Sequence, residues 1–164
     1  ISVADPFSPE LGDLILQATQ SATESRVHRG GTIVIIEGPR FSTRGESVIY
    51  RQWGGCTIIG MTNAPEAFLA REAEIAYASI AHITDYDVWN EEEESVTVDL
   101  VIQTMKRNVA NTQRAIAKTV EMIDEDAEYA AHSALKNAMM TKKDAMSPES
   151  ITRLGPVVAR YFAD

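Results

Sequence analysis

Apolar positions along the chain change period several times, and each change marks an element. Leu11, Leu14, Ile15 and Ala18 recur at helical spacing behind Ser8-Pro9-Glu10, a hydroxyl cap with proline at the first helical position and an acid near the positive dipole end. His28-Arg29-Gly30-Gly31 is a turn signal, and the β-branched run Thr32 to Ile36 behind it is too short for a helix and predicts a buried strand. After Gly38-Pro39 the helical period returns, with Thr43 and Glu46 spaced as a capping box and Gly54-Gly55 as the stop. Cys56 to Ile59 predicts a second strand, and Asn63 with Glu66 predicts the cap of a helix running toward Glu74. Ile75 to Ile83 is a third apolar run, expected to be a strand. Val98, Val101, Ile102, Met105 and Val109 then form a helical stripe beginning near Thr97. Two further helices are expected, one over Ala127 to Met140 and one opened by Ser147-Pro148-Glu149.

Strands alternating with helices at this spacing predict an α/β fold with a largely parallel central sheet. No repeat, low-complexity tract or linker divides the 164 residues, so residues 1–164 read as a single unit. Three strands are few beneath so many helices, which suggests that part of the sheet is supplied by residues outside this chain.

The net charge of −9 argues against a duplex-binding surface, yet it leaves room for a small anion in a locally positive site. No apolar run approaches the roughly 18 residues of a membrane helix. One cysteine, Cys56, makes no intrachain disulfide, so a cytoplasmic location is expected.

The candidate chemistry gathers where the three expected strands end: Glu37-Gly38-Pro39-Arg40-Phe41-Ser42-Thr43, Met61-Thr62-Asn63, and Thr84-Asp85-Tyr86-Asp87. Ligands of open α/β sheets bind beyond the carboxyl ends of the strands, so these segments are expected to form one site. Asp85 and Asp87 lie two apart, and side-by-side carboxylates favour one that retains a proton and donates it near neutrality. The commoner meaning of an isolated Asp-x-Asp is a capped turn, and a metal pair lacks further ligands at suitable spacing. His82 reads as a core histidine, and His28 and His132 are isolated. Cys56 reads as a small core residue without a His partner pattern. Glu91 to Glu94 reads as a solvated loop or a mobile cover for the site.

Ile36-Glu37-Gly38-Pro39-Arg40-Phe41-Ser42-Thr43-Arg44, Gly60-Met61-Thr62 with Pro65-Glu66, and Ala81 through Thr84-Asp85-Tyr86-Asp87-Val88-Trp89 resemble the methylthioadenosine phosphorylases of the trimeric purine nucleoside phosphorylase group. Ala4-Asp5-Pro6-Phe7 and Ala131-His132-Ser133-Ala134-Leu135-Lys136 are similar to flanking segments of that family. The resemblance implies the C-terminal part of a phosphorylase-type mixed sheet flanked by helices. It also implies phosphorolysis of 5′-methylthioadenosine to adenine and 5-methylthioribose 1-phosphate, with inorganic phosphate as cosubstrate, no cofactor and no metal. By the family pattern Asp85 bonds N7 and the 6-amino group of adenine as the catalytic residue, Asp87 and Ser42 complete the base site, and Phe41 packs along the purine. Met61 then lies against the ribose, Thr62 contacts phosphate, and Val98 and Val101 line the 5′-methylthio pocket.

Gly45 and Asn63-Ala64 depart from the family pattern. So does the lack of a glycine-rich phosphate loop, an Arg-His phosphate pair and a threonine-bearing segment, all of which belong to the family's N-terminal half. The resemblance therefore implies a C-terminal half, inactive until a companion N-terminal chain completes it, in a homotrimer with no nucleic-acid or membrane partner. The alternatives are a phosphorylase of 5′-methylthioinosine or another purine nucleoside, and a non-catalytic fragment that keeps only the base pocket.

Overall fold

The computed structural model describes residues 1–90 and 98–162. Helix α1 (Pro9–Ala22) starts as its cap dictates: the Ser8 hydroxyl accepts the Leu11 N–H at 3.3 Å and donates to Glu10 at 2.8 Å. Strand β1 (Thr32–Ile35) pairs in parallel with β2 (Cys56–Gly60), with Ile33 opposite Ile58 and Ile35 opposite Gly60. Helix α2 (Arg44–Gln52) joins them and packs on β2. Its capping box is complete, since Thr43 accepts from the Glu46 N–H while the Glu46 carboxylate accepts from the Thr43 N–H at 2.7 Å. Helix α3 (Glu66–Glu72) follows β2. The long α4 (Val98–Met122) packs along α1 through small buried residues, Ala18 and Thr19 on one side and Ala115 and Thr119 on the other. Both threonine hydroxyls are satisfied by the carbonyl one turn back, at 2.7 and 2.8 Å, so their burial leaves no orphan donor. None of the described helices is long and apolar enough to cross a membrane.

Four local expectations are corrected. Residues 75–83 carry no sheet pairing. An apolar run encodes burial, whereas a strand also needs a neighbouring backbone, and none lies alongside among the described residues. The segment is held instead by the Ser8 N–H on the Tyr77 carbonyl at 2.8 Å, by His82 Nε2 against the Thr112 hydroxyl at 2.6 Å, and by Asn108 Nδ2 on the Ile83 carbonyl at 3.0 Å.

The helix expected over 127–140 is a short 3-10 turn, Ala130–Ser133, followed by further turns. The Leu135 N–H, which an α-helix would spend on Ala131, is donated to the Glu74 carboxylate at 2.8 Å. The helix opened by Ser147 is interrupted. It runs as α5 (Pro148–Leu154), breaks at Gly155-Pro156, where Gly155 adopts φ 40 and proline has no N–H to give, and resumes as α6 (Ala159–Phe162). Finally, the Asn63 side chain does not cap α3. Its backbone carbonyl accepts the Ala67 N–H at 2.9 Å while the residue sits at φ 79.

Among the described residues the buried apolar set is small: Ala18, Ala67, Ala115, Ala131, Leu135 and Val158. Many larger apolar side chains, among them Trp53, Leu69 and Ile75, are exposed.

Candidate active site

Parallel pairing brings the ends of β1 and β2 together, and the Ile36 N–H extends the ladder by bonding the Gly60 carbonyl at 2.9 Å. The loops beyond them touch. A Cβ on Gly38 would meet Met61 Sδ at 3.0 Å, so glycine permits the close approach of the two loops. The third loop is drawn in by α2: the Ser47 hydroxyl donates to Asp87 Oδ2, and Arg44 Nη1 donates to the Val88 carbonyl at 2.8 Å. The three segments therefore meet, two of them at the ends of paired strands and the third, which follows no strand, through its bonds to α2.

Within that cluster the Asp-x-Asp pair is a capped turn. Asp85 Oδ1 accepts the Asp87 N–H at 2.8 Å, and Asp85 Oδ2 accepts the Thr84 hydroxyl at 2.7 Å. Asp87 holds φ 60, in the left-handed region, and its own carboxylate turns away to Ser47. The two carboxylates thus have separate donors and no bond to each other, which differs from the shared-proton pair that their spacing suggests.

Asp85 is exposed and Asp87 half-buried. Phe41 is 83% exposed, Ser42 half-buried and Met61 exposed. The Thr62 hydroxyl donates to Asn63 Oδ1 at 2.9 Å, while Asn63 Nδ2 is buried with no hydrogen-bond partner among the described residues. Val101 is half-buried on α4, and the side chain of Val98 lies outside the described residues, as does the Glu91 to Glu94 loop. The antiparallel contacts of His82 with Thr112 and Ile83 with Asn108 set the direction of α4, carrying Val101, two turns before Asn108, toward the end of the segment that bears Asp85.

Arg40 is not a free cation beside these loops. Its guanidinium binds both Glu46 carboxylate oxygens at 2.7 and 2.8 Å. The Arg40 bonds, with the Thr43 N–H and hydroxyl, lower the Glu46 carboxyl to about 2. The pair ties the 38–43 loop to the first turn of α2. Arg51, at the far end of that helix, lies 3.7 Å over the Trp89 ring. Ser47 and Arg51 are the site residues that sequence reasoning missed. The signal was their spacing from Arg44, which places all three on one helical face.

A concavity that none of these residues lines lies elsewhere. It is a groove of about 700 Å³ whose walls include Glu74, Tyr129, His132, Lys136 and Arg160. Glu74 and Arg160 are ion-paired across it. Burial raises the Glu74 carboxyl, but the Tyr161 hydroxyl, the Leu135 N–H and Arg160 outweigh it and hold the group below its ordinary value. Among the described residues no three His, Cys, Asp or Glu side chains are grouped as metal ligands.

Residues 1–121 match the phosphorylase superfamily. This chain belongs to that superfamily. An S-methyl-5′-thioadenosine phosphorylase of Thermosynechococcus vestitus is 46% identical over 99% of the chain and 57% of its own length. One from Chloroflexus aurantiacus is also 46% identical, over 96% of the chain and 54% of its length. A methylthioadenosine phosphorylase from an antarctic soil metagenomic library has a crystal structure similar to this one, with a TM-score of 0.85, 44% identity, and coverage of 96% of this chain and 55% of that one. The methylthioadenosine phosphorylase of Schistosoma mansoni, solved with adenine, is similar at a TM-score of 0.72 and 31% identity, covering 89% of this chain and 56% of that one. The phosphorylase fold is thus established for the chain, which spans about half the length of the relatives it matches. The resemblance read from the loop motifs and the α/β class read from the apolar pattern both agree with these matches.

Proposed function

We propose that the chain is the C-terminal half of a cytoplasmic 5′-methylthioadenosine phosphorylase, a pentosyltransferase that uses inorganic phosphate and neither metal nor cofactor. The observation that carries this reading is the convergence of three loops, with the Asp85 turn fastened to α2, in a chain 46% identical to such an enzyme over 99% of its length. In the reaction a phosphate oxygen attacks C1′ as the C1′–N9 bond breaks and its electron pair passes to the base. Asp85 in its acid form gives its proton to N7 and accepts from the 6-amino group, so that adenine leaves as the neutral base. Asp87 and Ser42 complete the base site and Phe41 covers the purine face. Met61 lies against the ribose, Thr62 contacts phosphate, and Val98 and Val101 receive the methylthio group.

The phosphate dianion needs more than this half supplies. Neutral hydrogen bonds contribute roughly 1 kcal/mol each, and the Arg40 guanidinium is already engaged by Glu46. A companion N-terminal half would bring the charged phosphate ligands and cover apolar side chains such as Leu69 and Ile75, which are exposed here. It would also give residues 75–83 a strand to pair with, and the whole would assemble as a homotrimer with no nucleic-acid or membrane partner.

A neighbouring structure, the S. mansoni protein described as an adenosine/methylthioadenosine phosphorylase, favours a second reading in which adenosine is also a substrate. The test is phosphate-dependent adenine release from methylthioadenosine, adenosine and 5′-methylthioinosine by the chain with and without its N-terminal half. Turnover of methylthioadenosine by the assembled halves, and none by the lone chain, is expected. Robust turnover by the lone chain would overturn the half-enzyme reading, and a preference for methylthioinosine would overturn the substrate.

A further inference from the structure

We propose that Ser47 is a positioning residue for base recognition, acting through Asp87 rather than on the substrate; this rests on the function proposed above. Arg44, Ser47 and Arg51 stand at i, i+3 and i+7 along α2, one face of the helix, and each meets the loop that carries the two aspartates. Arg44 holds the Val88 carbonyl, Ser47 the Asp87 carboxylate and Arg51 the Trp89 ring. The central contact differs from the other two in burial. Ser47 is 1% exposed, the largest fully buried side chain among the described residues, whereas Arg44 and Arg51 are exposed.

A buried hydroxyl must place its single proton on an acceptor, and here the acceptor is Asp87 Oδ2. Asp87 needs such a hold because its backbone lies at φ 60, where a residue with a Cβ is strained. Fixing Asp87 also fixes its N–H, which is the donor that orients Asp85 Oδ1 at 2.8 Å. The chain of placement therefore runs from β2 to α2, from α2 through Ser47 to Asp87, and from Asp87 back to Asp85. Without the Ser47 hydroxyl, Arg44 and Arg51 still hold the loop at Val88 and Trp89, but the Asp87 carboxylate loses its hold on α2, while the phosphate contact proposed for Thr62 sits on a different loop and is untouched.

The experiment compares Ser47→Ala and Ser47→Cys with the unmodified protein, each assembled with the N-terminal half. Ser47→Cys keeps the size of the side chain with a weaker donor, so it covers the case in which alanine does not fold. The expected result is a KM for methylthioadenosine raised about 10-fold, an unchanged KM for phosphate, and a smaller preference for methylthioadenosine over 5′-methylthioinosine. In an Asp87→Asn background the same serine change should add little, because its target is already altered. A purely structural role would lower kcat for every substrate equally and leave both KM values and the preference alone; that outcome, or full additivity with Asp87→Asn, overturns the inference while leaving the proposed function standing. An unmodified assembly that releases no adenine overturns the proposed function and the inference together.

Discussion

Asp85→Asn separates chemistry from architecture, because the turn can accommodate the amide. In the folded chain Oδ1 accepts the Asp87 N–H at 2.8 Å and Oδ2 accepts the Thr84 hydroxyl at 2.7 Å. An asparagine keeps its carbonyl oxygen on the Asp87 N–H and turns its amide toward Thr84, whose hydroxyl rotates from donor to acceptor. Both bonds survive in weakened form, which costs about 1–2 kcal/mol in all. Asp85 is exposed, so solvent reduces even that figure, and the melting temperature should fall by only about 2–4 °C. The catalytic effect is larger. A positioned acid contributes roughly 10²- to 10⁴-fold, or about 3–5 kcal/mol of barrier. The amide can still accept or donate at a 6-oxopurine, so that substrate should lose about 10-fold or less. The assay is kcat/KM for methylthioadenosine and for 5′-methylthioinosine in the assembled enzyme, with thermal melts of both proteins. Equal losses on the two substrates, with the fold intact, would refute the base-reading role of Asp85.

Gly31→Ala should destabilise the protein by about 2–4 kcal/mol, seen as a lower urea midpoint. Gly31 lies at φ +124, and a Cβ there would meet Thr57 Oγ1 at 2.7 Å and Cβ at 3.0 Å, so Thr57→Ala in the same chain should recover part of the loss. Glu46 provides a pH-dependent term. Its carboxyl is lowered to about 2 in the folded chain, so its contribution is complete above the ordinary value near 4.5 and is lost as pH falls through about 2. The difference in melting temperature between the unmodified protein and Glu46→Gln should accordingly be constant above pH 5 and shrink toward pH 2. Val98→Gln should lower the ratio of methylthioadenosine to adenosine turnover in the assembled enzyme, and an unchanged ratio would remove Val98 from the 5′ pocket.

The elements legible in the sequence are those whose determinants lie within a few residues. Ser8 with Pro9 and Glu10, Thr43 with Glu46, and Ser147 with Pro148 each begin a helix in the structure, because a cap bonds N–H groups two or three positions ahead. The β-branched runs at Thr32 and Cys56 became strands because each supplies the other's partner, in parallel register. The placement of the first two candidate loops was also legible, since paired parallel strands deliver their loops to one edge, whereas the loop bearing Asp85 and Asp87 is brought there by Arg44 and Ser47 of α2.

Residues 75–83 have the same apolar character and no pairing, because hydrophobicity specifies burial while hydrogen bonding requires a second backbone. The 127–140 segment has helix-favouring residues, yet Glu74, 61 positions earlier, takes the Leu135 N–H that would have continued a helix. The same distance effect hid the organisation of the site. Ser47 and Asp87 are 40 residues apart, and nothing local marks the serine as the hydroxyl that holds the aspartate. Sequence by itself determined which residues cap, which run is apolar and which loop carries each candidate. Tertiary structure alone decided that Asp85 and Asp87 form a capped turn instead of a shared-proton pair, because a carboxylate's state follows from the donors brought to it, and Ser47 is delivered to Asp87 only by packing α2 on β2.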